Sequence, residues 1–163
     1  MENCRRPEPY PPMEVAERNL TYAKILARDY AGTVSEMTAI TQYVYHNLDI
    51  GNKEVSDLMM CIARVEMHHL HMLGTLIKKL GGDPRYEVES NYWNAGFVKY
   101  GRNMCQQITL DIDAEYAAIR QYKLHLTYID DPFVKEVIKR IIMDEEYHIK
   151  LFTGVYEKYC KNK

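Results

Sequence analysis

The chain has 163 residues, 47% of them hydrophobic and 27% charged, with a formal net charge of −2. That length supports one domain with a sizeable core, and the near-neutral balance gives no general pull toward nucleic acid or anionic membrane. No apolar run approaches a bilayer-spanning length, and the opening MENCRRPEPYPP lacks the apolar stretch of a secretory leader, so a cytoplasmic protein without membrane or nucleic-acid partners is expected.

Pro7, Pro9, Pro11 and Pro12 mark residues 1–18 as an N-terminal extension, with a helical domain over 19–163. The first helix is predicted over Asn19 to Leu48, with Tyr22, Ile25, Leu26, Ile40 and Tyr43 in helical spacing. Asp49-Ile50-Gly51-Asn52 is a short turn in which Asn52 caps a second helix, and that helix carries Val55, Leu58, Met59, Ile62, Leu73 and Leu80 before Gly81-Gly82 stops it. Residues 81–101 are too long for a tight turn and form a crossover. A third helix follows from about Asn103 to Ile129. Asp131-Pro132 then supplies a cap and a first-position proline for a fourth helix reaching about Tyr159. Cys4, Cys61, Cys105 and Cys160 make no Cys-x-x-Cys pair, against a zinc ribbon or thioredoxin-type site. Cys61 reads as a free buried thiol on an apolar stripe, and Cys4 and Cys160, near the ends, receive no role.

The two hairpins repeat. SEMTAITQYVYH from Ser35 matches AEYAAIRQYKLH from Ala114, and VEMHHLHML from Val65 matches DEEYHIKLF from Asp144. The offset is 79 residues for Glu36/Glu115, Glu66/Glu145 and His69/His148 alike, which implies a pseudo-twofold axis. Glu66 and His69, like Glu145 and His148, are three apart and leave one face of a helix. Glu36, Glu66 and Glu145 follow apolar-face residues in register, so they point inward. Ionised carboxylates in a core cost several kcal/mol each unless paired or metal-bound. Two divalent cations held by four Glu and two His would offset that cost.

The arrangement E…ExxH…E…ExxH from about Asn19 onward resembles the ferritin-like superfamily, in particular the rubrerythrin bundle domain, bacterioferritin and the small manganese catalases. The resemblance implies an all-α four-helix bundle, two antiparallel hairpins joined by a long crossover. By the same likeness Glu66 and Glu145 bridge two metal ions, Glu36 and Glu115 are terminal ligands, and His69 and His148 take one ion each. Tyr43 and Tyr122, each two turns beyond a ligand Glu, are read either as hydrogen-bonding a ligand carboxylate across the bundle or as packing tyrosines with their hydroxyls satisfied elsewhere; they resemble the tyrosine at that place in rubrerythrin and bacterioferritin and are named with the catalytic group. Asp144 is read either as orienting a ligand histidine or as pairing with a nearby base. His46 and His125 are read as solvated side chains near helix ends, and His68 and His71 as solvent-facing. Met67 stands where bacterioferritin carries its haem methionine, but haem is not expected.

The leading functional expectation is a rubrerythrin-like non-haem di-iron oxidoreductase acting in peroxide detoxification, with two iron ions per chain, manganese being possible. It would reduce peroxide or react with dioxygen. Without a rubredoxin-type cysteine site, its electrons would come from a separate donor protein. A manganese catalase, a ferroxidase or iron store, and a structural bundle with a vestigial site are the alternatives. Rubrerythrin's extra glutamate is replaced by Ala118, so the two metal environments are expected to be nearly equal. Fifteen residues follow His148, too few for the fifth helix of bacterioferritin cages, so a homodimer or similarly small oligomer is expected, with Tyr86, Tyr92, Trp93 and Phe97 of the crossover in its packing.

Overall fold

A computed structural model describes residues 4–161; positions 1–3 and 162–163, the outer ends of the two expected segments, lie outside the described residues. Five helices build the four rods of the bundle: α1 Leu20–Ala31, α2 Glu36–Asp49, α3 Lys53–Lys79, α4 Met104–Tyr128 and α5 Pro132–Tyr159. Four predicted boundaries coincide with side-chain caps. Asn19 accepts from the Thr21 and Tyr22 amides, Asn52 from Val55, Asn103 from Gln106, and Asp131 from Phe133 and Val134 ahead of Pro132. α3 is capped at Leu80 and the chain turns away at Gly81, whose φ of 93° suits glycine.

The predicted first helix is instead two. Gly32 ends α1, its N–H bonding the Arg28 carbonyl, and Ser35 caps α2 by accepting from the Thr38 amide. Ser35 Oγ and Thr38 Oγ1 both donate to the Gly32 carbonyl, and Trp93 Nε1 donates to Thr38 Oγ1, so crossover and break are tied together. The apolar pattern runs across the break without interruption, which hid it. One consequence is local: Glu36 opens α2, at the positive end of a helix, whereas its counterpart Glu115 lies in the middle of α4.

α2 packs along α3 and α4 along α5, giving two antiparallel hairpins. The crossover between them holds a two-residue-stranded β-hairpin, β1 Glu87–Val88 with β2 Asn91–Tyr92, paired Glu87 to Tyr92 and Val88 to Asn91, and one 3-10 turn at Ala95–Phe97. Of its aromatic residues, Tyr86 stacks on Tyr30, and Tyr86 and Tyr92 are exposed. Two apolar clusters fill the bundle. One contains Leu26, Leu73, Leu76, Ile119, Val137 and Ile141; the other contains Tyr43, Met59, Ile62, Ile108 and Phe152. Glu66 falls between Ile62 and Leu73 on α3, and Glu145 between Ile141 and Phe152 on α5, so the polar centre lies between the two clusters. Among the described residues no helix is long and apolar enough to cross a membrane.

The cysteines depart from expectation. Cys4 is bonded to Cys61, and Cys105 to Cys160, so no described cysteine is free. Cys61 is therefore not a buried free thiol. A pairing of residues 57 and 55 positions apart leaves no local spacing signal, which is why the sequence does not show it. The first bond fixes the N-terminal extension to α3. The segment continues along α5, where Arg140 donates to the carbonyls of Arg6 (2.9 Å) and Glu8 (3.0 Å) and its guanidinium lies 4.2 Å over the Tyr10 ring.

Candidate metal centre

All six residues singled out by the repeat meet at the middle of the bundle, each at most 3% exposed. They form two overlapping sets whose ligand atoms lie within 4.8 Å of one another: Glu36, Glu66, His69 and Glu145, and Glu66, Glu115, Glu145 and His148. The shared members are Glu66 and Glu145. Each divides its oxygens between the histidines. His69 Nδ1 is 2.9 Å from Glu66 Oε2 and 3.2 Å from Glu145 Oε1, while His148 Nδ1 is 2.9 Å from both Glu66 Oε1 and Glu145 Oε2. The terminal carboxylates sit farther out, Glu36 Oε2 at 3.7 Å from His69 Nδ1 and Glu115 Oε1 at 3.4 Å from His148 Nδ1.

The outer nitrogens explain the orientation. His148 Nε2 faces the Cys4 carbonyl at 2.9 Å, so that nitrogen donates and Nδ1 is the one turned to the centre. His69 Nε2 does the same with Asp144 Oδ2 at 3.1 Å. Asp144 is held in turn by the Arg6 amide, Tyr10 Oη and Arg140. It therefore does both things expected of it as alternatives: it orients a histidine and pairs with a base. Its counterpart Val65 is apolar, and a backbone carbonyl takes over that role on the other side. With Glu36 at a helix start and Glu115 within one, the two half-sites are less alike than the repeat implies.

Tyr43 and Tyr122 cross the bundle. Tyr43 Oη donates to Glu115 Oε1 at 2.7 Å and Tyr122 Oη donates to Glu36 Oε1. Each terminal carboxylate is thus held by a phenol of the opposite hairpin. Burial, reinforced by those carboxylates, pushes both phenols well up, so they remain donors at any ordinary pH.

Charge is unevenly shared. Burial, and then the nearness of Glu66 and Glu145, raises Glu36 and Glu115 well above the usual carboxylate range. Burial favours a raised value for Glu66 too, but His148 and His69 overcome it and hold that carboxylate low. Burial alone would lower the histidines; Glu145, Asp144 and Glu36 around His69, and Glu66, Glu115 and Glu145 around His148, instead raise them well above 6.5. Even so, although His148 Nδ1 lies 2.9 Å from Glu66 Oε1 and Glu145 Oε2, none of these three buried atoms makes a hydrogen bond of good geometry among the described residues. Buried polar atoms without a well-formed hydrogen bond are rare. Three converging on one point, with hard carboxylate and imidazole donors, fit a pair of divalent first-row ions.

A cavity of about 310 Å³ opens onto the centre through the cleft between α2 and α4. Glu36, Glu66, Glu115 and Glu145 line it together with Tyr43 and Tyr122, and Val34, Phe97, Leu110 and Ala118 are among its apolar lining. Two buried networks span the cleft. Gln42 Nε2 and His46 Nδ1 bind the two oxygens of Asp111 at 2.8 and 2.9 Å, and Gln121 Nε2 and His125 Nδ1 bind those of Asp29 at 2.8 and 2.7 Å. His46 and His125 are 0% and 5% exposed, not the solvated side chains expected. Their helix-end positions are shielded because the crossover covers one, with His46 Nε2 on the Lys99 carbonyl at 2.9 Å, and α1 covers the other. Asp111, four residues before Glu115 on α4, carried the helical spacing that could have revealed it, whereas Asp29 is separated from Glu36 by the break between α1 and α2. His71 is exposed as expected, whereas His68 is half-buried against the Tyr10 ring at 4.5 Å. Met67 is 47% exposed on the outer face of α3.

Broken first rod, paired hairpins and long crossover define a ferritin-like bundle with a carboxylate-rich centre. A family model described as manganese containing catalase matches residues 10–92. The chain belongs to the manganese containing catalase family. A Clostridium acetobutylicum protein named as a probable manganese catalase is 23% identical over 168 residues, spanning 90% of this chain and 75% of that one. Among solved structures, KatB, a manganese catalase from Anabaena, superposes with a TM-score of 0.88 at 22% identity, covering 94% of this chain and 79% of its own. The bacterioferritin of Desulfovibrio desulfuricans superposes with a TM-score of 0.73 at 25% identity, covering 87% and 82%.

Proposed function

We propose that this protein is a dimanganese catalase, converting two hydrogen peroxide molecules into dioxygen and two waters, with Glu36, Glu66, His69 and Glu145 holding one ion and Glu66, Glu115, Glu145 and His148 the other. The observation that carries the reading is the division of oxygens by Glu66 and Glu145, joined to membership of a family whose description names manganese and catalase. Bound as a pair, such ions supply a two-electron couple through which one peroxide is reduced and another oxidised.

The chain's own part is to hold and to admit. Glu66 and Glu145 keep the two positions adjacent, and the outer partners of His69 and His148 leave Nδ1 free to ligate. Tyr43 Oη and Tyr122 Oη keep their protons and fix the terminal carboxylates, leaving the cavity side open to a small molecule. The mostly apolar lining limits bulk water beside the centre. No donor protein is needed for this reaction, in contrast to the rubrerythrin-like alternative.

An oxygen electrode separates the readings. Manganese-loaded protein should release dioxygen from hydrogen peroxide continuously with no added reductant. A stoichiometric burst that stops, and resumes only with a donor, would replace the catalase reading with a di-iron peroxidase-type one, which the bacterioferritin likeness supports. The compartment is proposed from the cysteines: closed disulfides suit an oxidising setting better than a reducing cytoplasm.

A further inference from the structure

The two disulfides differ in where they act. Cys105 lies at the start of α4, ten residues before Glu115, and Cys160 caps the end of α5, twelve residues after His148. At 1.5 Å per residue they are about 15 Å or more along the helices from those ligands. Cys61 is five residues before Glu66 on α3, and its partner Cys4 is itself the residue whose carbonyl accepts from His148 Nε2 at 2.9 Å. From that anchor the extended segment runs to Tyr10, placing the Arg6 amide 2.7 Å from Asp144 Oδ1 and Tyr10 Oη 2.6 Å from Asp144 Oδ2. Asp144 Oδ2 is also the partner of His69 Nε2. One short stretch of chain, outside the bundle and outside the repeat, therefore supplies the outer contact of one candidate ligand histidine directly and of the other through one carboxylate.

From this geometry we infer that the Cys4–Cys61 disulfide is a positioning element of the metal centre, so that the centre's hold on its ions depends on the thiol redox state of the surroundings. The inference rests on the ligand assignment above. Cys4 stands at the end of the segment nearest His148, where the disulfide is its covalent tie to α3. Cys61 is half-buried and Cys4 buried, so of the two the Cys61 side is the more open to an attacking thiolate. A small thiol or dithiol attacks one sulfur, forming a mixed disulfide and releasing one cysteine thiolate. A second external thiol then resolves it. The balance is two external thiols oxidised to one external disulfide and Cys4 and Cys61 reduced to two thiols, with protons passing from the former to the latter. Once the tie is open, Cys4 is no longer held to α3, its carbonyl can leave His148 Nε2, and the grip of Arg6 and Tyr10 on Asp144 weakens. Loss of such outer partners lowers metal affinity about 10–100-fold.

The test compares manganese binding to the full chain by competition with a chelating indicator, using oxidised wild type, the C4S/C61S variant and the C105S/C160S variant. The expected result is affinity reduced about tenfold or more for C4S/C61S, the ion on the His148 side being lost first, and little change for C105S/C160S. The electron paramagnetic signal of the manganese pair should convert to that of a single ion in step with this loss. Should C4S/C61S fail to fold, wild type titrated with a dithiol and then reoxidised gives the same comparison, affinity falling and returning with the disulfide. Equal affinity in oxidised and opened forms overturns the inference while leaving the catalase reading intact. Equal losses in both variants also overturn it, as the effect would then be general destabilisation. Absence of manganese binding by oxidised wild type overturns the inference and the proposed function together.

Discussion

Each candidate bridging glutamate gives one oxygen to each histidine, and each terminal glutamate serves one histidine only. Glu66→Ala should therefore lose both ions, whereas Glu36→Ala should lose the His69-side ion first, as metal analysis of the purified variants will show. Protons compete with the ions at the same atoms. Glu36, Glu115, His69 and His148 all hold protons more tightly folded than free, so ion binding must displace them and manganese affinity should fall as pH is lowered through the neutral range. The stability of the ion-free chain follows the opposite sign. Raised values favour the fold on the acid side, and that contribution is lost as pH rises through them; the lowered Glu66 acts in reverse, its contribution lost on acidification. Denaturant melts of ion-free protein across pH, beside an indicator titration, check both. These six residues were legible because a 79-residue offset repeats them as a set. The partners of their outer nitrogens were not. The Cys4 carbonyl is a backbone group, and Tyr10 and Arg6 reach Asp144 from more than 130 positions away.

Among the helices, capping chemistry was readable and tertiary interruption was not. Asn52, Asn103 and Asp131-Pro132 announce α3, α4 and α5 because an amide or carboxylate side chain satisfies the first free amides. The break at Gly32–Ser35 is marked locally by Gly32 and the Ser35 cap, a signal that the apolar spacing on either side outweighed, and only the Trp93 bond to Thr38 comes from the folded crossover. Between the elements, Phe152 joins packing to the site. It is fully buried on α5, and its ring meets the Tyr43 ring edge-on at 5.4 Å. Phe152→Ala should destabilise the fold by about 3–5 kcal/mol. It should also loosen Tyr43 on Glu115, read as lower manganese affinity at temperatures where the variant is still folded.

For the whole molecule, the crossed bonds from Tyr43 to Glu115 and from Tyr122 to Glu36 mean that neither hairpin completes a half-site. The set around His69 takes three members from the first hairpin and Glu145 from the second; the set around His148 reverses this with Glu66. The single chain is thus the covalent form of a two-body assembly, each body lending one carboxylate to the candidate ligand set of the other. Such an arrangement makes metal binding and hairpin docking one equilibrium. A chain cut within the exposed crossover near Glu89-Ser90 should keep its halves together while manganese is present and release them on chelation, since each disulfide lies within one half, a dissociation that size-exclusion chromatography would register. A lone hairpin carrying Glu36, Glu66 and His69 therefore holds only part of either ligand set, and each set is complete only when the second hairpin is docked.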